Sequence, residues 1–179
     1  MFDPRDHYWL AEDGRLFGSA RAGLVNAPES DEAYAAWRDL GRLPTPWPSG
    51  DGGEQSLATL QAVLSPYGLF ADLLSYARDR RWRAEVGGMT WNGVPIATDD
   101  SSKVKIAGAR IKAQADPAFE TTWYGADGEG VVVDAALLTA LSDAVLEHVD
   151  GTFTTFGLVK VGIAAGAITT TAEIDAAFG

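Results

Sequence analysis

Between Asp79 and Asp100 the sequence forces a helix, a hairpin and a second helix in immediate succession. An arginine-rich stretch, Arg80-Arg81-Trp82-Arg83, runs into Gly87-Gly88, which stops a helix. Asn92-Gly93 then separates two short apolar runs. That dipeptide is the strongest two-residue hairpin signal, because both central positions of the turn need positive φ. Met89–Trp91 and Val94–Ala97 are therefore read as its strands, with Pro95 confining the second to a sheet edge or strand end. Thr98-Asp99-Asp100-Ser101 supplies caps for a helix to about Ala115, with Val104, Ala107 or Gly108, and Ile111 as its apolar face.

The same signals extend to both sides. His7–Leu10, the turn residues Glu12-Asp13-Gly14 and Arg15–Phe17 read as strand, turn and strand, with a third strand at Ala22–Asn26. Ser30-Asp31-Glu32 caps a short helix carrying Tyr34, Trp37 and Leu40. Residues 44–53 hold three prolines and three glycines and are expected to be a linker or extended loop. Beyond it, Leu57, Leu60 and Leu64 mark a helix broken at Ser65-Pro66-Tyr67-Gly68, and a longer helix follows from Leu69 to Val86. Phe119–Tyr124 and Val131–Val133 form a second hairpin around Gly125–Gly128. Asp134 caps the longest helix, to about Gly166. Gly151, Gly157 and Gly162 within it imply either a kink near Gly151 or a close approach by another backbone. Thr170 and Glu173 make a capping box for a terminal helix ending at Phe178.

The expected class is α+β: a small β-meander module at 1–43, the Pro/Gly linker at 44–53, and a helical body with two β-hairpins at 54–179. So small a module is marginal alone and is expected to pack on something else.

Apolar residues make up 46% of the 179, enough for a packed core. A net charge of −11 argues against nucleic acid and against anionic membrane surfaces, both of which ask for a basic footprint. No apolar run approaches the length of a membrane span. The first residues, Met1-Phe2-Asp3-Pro4-Arg5-Asp6, lack a basic stretch followed by an apolar one, so no secretion signal is expected. Without cysteine there is no disulfide, thiolate metal site or thiol nucleophile.

Candidate chemistry is sparse. His148 stands beside Glu147 and Asp150, yet a metal would need further ligands, and His7 lies in the other module; a satisfied boundary histidine is the better reading. Asp99 and Asp100 resemble paired carboxylates, but adjacent acids at a helix start are what capping and the helix dipole demand. Gly125-x-x-Gly128-x-Gly130 sits between two strands, whereas a dinucleotide loop joins strand to helix. Lys103, Lys105, Arg110 and Lys112 read as a solvated helix face. No catalytic residue, cofactor or metal is assigned, and the chain is not expected to be an enzyme. The six tryptophans are the candidate interface residues: Trp9, Trp37, Trp47, Trp82, Trp91 and Trp123, with Trp47 foremost because it lies between prolines in the linker.

Arg81-Trp82-Arg83-Ala84-Glu85, Gly88–Gly93, Ile96–Asp99 and Ser101-Ser102 occur in an order that resembles a domain family of unknown function from tailed bacteriophages and prophages. The likeness continues through Trp123, Val131–Ala135, Leu141, Val145, His148-Val149 and Phe153 to Ile174-Asp175, covering roughly residues 75–178. Tyr8-Trp9, Ser19–Arg21, Asp31-x-x-Tyr34-x-x-Trp37 and Pro44-Thr45 are similar to the start of tail-fibre-associated proteins. Thr152–Thr155 departs from the family, whose long helix often carries a cysteine or a longer apolar run there. The resemblance implies a structural protein of the phage tail, at the tip, baseplate or fibre attachment. It would dock on other tail proteins, form a homo-oligomer or symmetric assembly, be assembled in the host cytoplasm and reside in the virion. The alternatives are a tail-fibre assembly chaperone and a small soluble enzyme.

Overall fold

A computed structural model describes residues 3–179. Met1 and Phe2, with which the leader reading and the small module begin, lie outside the described residues. The architecture is α+β, divided into two compact units, Met1–Tyr76 and Ala77–Gly179.

In the first unit, β1 (Tyr8–Leu10), β2 (Leu16–Gly18) and β3 (Gly23–Val25) form an antiparallel meander, with Trp9 opposite Phe17. Alternation along the strands sends Tyr8, Leu16 and Val25 to one face and Trp9 and Phe17 to the other. Helix α1 (Glu32–Asp39) covers the first face with Trp37. Its cap is Asp31, which accepts from the Tyr34 N–H at 2.7 Å and is held by both Arg21 guanidinium nitrogens at 2.8 and 2.9 Å.

The opposite face is closed by the stretch expected to be a linker. Thr45–Pro46 forms β4, parallel to β1, giving the sheet order β3-β2-β1-β4. Proline is tolerated there because β4 is an edge strand. The next residue, Trp47, donates its N–H to the Leu10 carbonyl at 2.8 Å and packs with Trp9, Phe17, Leu60, Leu64 and Ala71. Leu60 and Leu64 come from α2 (Leu57–Leu64), which thus belongs to the first unit and not to the body expected from residue 54. A three-stranded meander has two apolar faces and one short helix; residues 44–72 supply the missing cover.

Helix α3 (Leu73–Val86) begins four residues later than expected, after Asp72 accepts from the Ser75 N–H, and its last part enters the second unit. There β5 (Met89–Trp91) and β6 (Val94–Ile96) pair around Asn92 and Gly93, whose φ values are 50° and 81°. Buried Thr98 ties the turn of chain together: its hydroxyl donates to the Glu85 carbonyl at 2.6 Å and accepts from the Gly88 N–H at 2.9 Å. Then come α4 (Asp100–Ala115), β7 (Glu120–Tyr124), β8 (Gly130–Asp134), α5 (Ala135–Ala164) and α6 (Thr171–Phe178). The core joins Ile96 and Ile106 to Leu141 and Val145. A neighbouring cluster holds Ala113, Val133 and Leu138, and Trp123 borders both.

Two expectations change here. Helix α4 turns Ile106 and Ala113 inward and leaves Val104 and Ile111 exposed, so the apolar face read from sequence is the outer one. Helix α5 is helical without interruption across Gly151 and Gly157, and a Cβ at either would meet nothing within 4 Å. Only Gly162 is approached closely, by the Ile168 side chain where the chain turns back toward α6.

Candidate docking surface

Most of the polar groups singled out in the sequence hold elements together. Asp99 caps α4, accepting from the Ser102 N–H at 3.1 Å and the Ser102 hydroxyl at 2.6 Å; these bonds hold its carboxyl below the usual range. Asp100 pairs with Lys103 at 2.9 Å. Lys103 also reaches Glu85 at 2.6 Å, and Arg81 pairs with the same carboxylate. The Lys103 ammonium, with the Arg81 guanidinium behind it, depresses the Glu85 pKa, while the Lys103 pKa rises. Arg110 pairs with Asp143, which locks α4 to α5. The stretch read as a solvated basic face is thus largely neutralised by neighbouring acids.

His148 bonds through Nε2 to the Ala84 carbonyl at 3.1 Å, so this imidazole joins α5 to α3. It lines a shallow cavity of about 320 Å³ with Glu147, Gly151, Thr152, Thr155 and Phe178. The Thr152 hydroxyl donates to the Val149 carbonyl. Among the described residues there is no group of three or more His, Asp or Glu side chains that could hold a metal ion. No described helix is long and apolar enough to cross a membrane.

The tryptophans separate sharply. Trp9, Trp37 and Trp47 are buried in the first unit. Trp47, 1% exposed, donates from Nε1 to the Ser56 carbonyl at 2.9 Å, under the Arg15 guanidinium. Burial in its own unit removes it from the reach of a partner. Its proline flanks look like linker, but Thr45–Pro46 forms an edge strand and Trp47 follows it into the core. Trp91 and Trp123 pack partly against the core of the second unit. Trp82, at 52%, is the one of the six whose ring is largely open to solvent.

The larger exposed apolar surface lies on the second half of α5. Phe153 is 51% exposed, Leu158 71% and Val161 67%. From Gly151 to Ala172 the only charged residue is Lys160. A 30-residue helix is about 45 Å long. α4 packs along α5 through Ile106, Leu141 and Val145, while Phe178 of α6 lies near Thr152 and Thr155 and Ile168, before α6, lies against Gly162. The side bearing Phe153 and Val161 faces water. On a chain of net charge −11, so long a stretch without an acid is a surface fitted for contact. Tryptophan content pointed elsewhere; the signal that could have found this surface is the gap in acidic residues.

Residues 69–178 match the model of a protein family described as Domain of unknown function (DUF4376). No curated protein and no solved structure matches the chain.

Proposed function

The chain belongs to the DUF4376 family by its match over residues 69–178, and from there we propose that it is a structural protein of a bacteriophage tail, docking at the tip, baseplate or fibre attachment. The observation that carries this reading is the exposed, nearly uncharged second half of α5. Burying an apolar side chain such as Phe153 or Leu158 contributes about 1.5–3 kcal/mol, and apolar patches of this kind mark contact surfaces. The polar groups of the second unit support the reading from the other side, since Glu85, Lys103, Asp99 and His148 bond to their own scaffold. The ordered motifs between Arg81 and Asp175 that resemble tailed-phage proteins support the location in the virion.

Quantitative mass spectrometry of purified particles tests it. A tail component is present in a fixed ratio to the other tail proteins. A chain missing from finished particles, yet required for fibres to fold, is an assembly chaperone, and that result ends the structural reading.

A further inference from the structure

We propose that two copies of this chain pair antiparallel through the exposed side of α5. The proposal rests on the docking surface described above and names its occupant as a second copy.

Leu146, Asp150, Phe153, Gly157, Lys160 and Ala164 are spaced alternately by four and three residues. At that spacing they run along one side of a helix, as the seam positions of a coiled coil do. All six are exposed. Phe178 of α6 lies with Thr152 and Thr155 on another side, and within the unit the seam is touched at Phe153, where the Arg81 guanidinium stands 4.3 Å from the ring centre.

The seam is complementary to itself read backwards. A two-fold axis level with Thr155 sets Leu146 against Ala164 of the second copy, Asp150 against Lys160, and Phe153 against Gly157. Each large residue meets a small one, and the acid meets the base. At Gly157 the space is open, with nothing within 4 Å of where a Cβ would stand, so a phenyl ring can enter. Among the described residues neither Asp150 nor Lys160 has an ion-pair partner. A parallel pair would instead stack Asp150 on Asp150, Lys160 on Lys160 and Phe153 on Phe153, and leave Gly157 facing a void. Two chains of net charge −11 repel, so they can meet only where acids are scarce, and α5 beyond Asp150 is such a place. Val161, beside the seam, adds apolar area at its rim.

Sedimentation equilibrium and light scattering of the full chain test the pairing. The wild type should weigh twice the 19.0 kDa of one chain at high concentration. Asp150→Lys and Lys160→Asp should each weaken the dimer about tenfold, since two ion pairs become two repulsions. The double swap Asp150→Lys with Lys160→Asp should restore it. Gly157→Leu should abolish it, with circular dichroism showing the helix retained. A chain that stays monomeric up to about 100 μM overturns the pairing, as does a dimer indifferent to both single charge reversals. Single losses without recovery in the double swap also overturn it. A dimer formed by a chain absent from particles leaves the pairing standing and removes the tail reading.

Discussion

The Arg81 guanidinium lies 4.3 Å from the centre of the Phe153 ring, joining the end of α3 to the start of the exposed stretch of α5. Arg81 is itself fixed by Glu85, which Lys103 of α4 holds from the other side at 2.6 Å. One carboxylate therefore sets the position of three helices. Its pKa is lowered by Lys103 first and Arg81 next. A depressed carboxyl adds stability that is present above its unfolded value, near 4.5, and is lost as pH falls through the folded value. Glu85→Gln should cost about 1–2 kcal/mol at neutral pH and remove part of the acid sensitivity below about pH 4.5. Urea unfolding at several pH values measures both.

Trp47 and Trp82 should respond in opposite ways to truncation. Trp47→Ala empties the centre of the cluster shared with Trp9, Phe17, Leu60 and Leu64 and should cost about 3–5 kcal/mol. Trp82→Ala should shift stability by less than about 0.5 kcal/mol, because the ring is mostly in water already. Thermal unfolding of the two variants, followed by circular dichroism, distinguishes core from surface directly.

Local signals in the sequence proved reliable where a single residue type carries the geometry. The Asn92-Gly93 turn, the Asp31, Asp99 and Asp134 caps and the Thr170–Glu173 capping box all stand where the residues ask for them. What could not be read is the choice between two apolar faces of one helix. On α4, Val104, Gly108 and Ile111 make the stronger pattern, but the short side chains Ala109 and Ala113, with Ile106, let α4 lie close to its neighbours. Strand β4 was hidden for another reason: two residues among prolines show no alternation, and their parallel pairing with β1 is made across 35 residues. The exposed apolar side of α5 was missed because exposure depends on which neighbours arrive, and its local sign, the gap in acidic residues from Gly151 to Ala172, is an absence rather than a motif.

His7 should make the first unit sensitive to mild acid. It is buried, with Nε2 2.8 Å from the Thr45 hydroxyl and its ring edge-on to Trp9 and Trp37. Burial lowers its pKa below the usual 6.5; Asp6 opposes the shift and Arg42 adds to it. The unfolded chain then binds the proton first, so stability present above 6.5 falls as pH drops through the folded value. His7→Gln should flatten that slope. Tryptophan fluorescence during urea unfolding, compared between about pH 7.5 and pH 5.5, reads it.

Glycines in the second unit should divide by conformation. Gly88 has φ 89°, and a Cβ there would lie 3.1 Å from the Ile96 carbonyl oxygen, so Gly88→Ala should cost more than about 1 kcal/mol. Gly151 is helical, with open space around it and off the seam, so Gly151→Ala should stabilise by about 0.5–1 kcal/mol. Denaturant midpoints of the two variants should move in opposite directions.

The exposed side of α5 is tested most directly inside the particle. Phe153→Glu with Val161→Glu changes two exposed residues, so circular dichroism should show a folded chain. Particles assembled with this variant as the sole copy should contain it at a small fraction of the wild-type ratio to the other tail proteins, measured by quantitative mass spectrometry. Incorporation of the folded variant at the wild-type ratio would contradict the account.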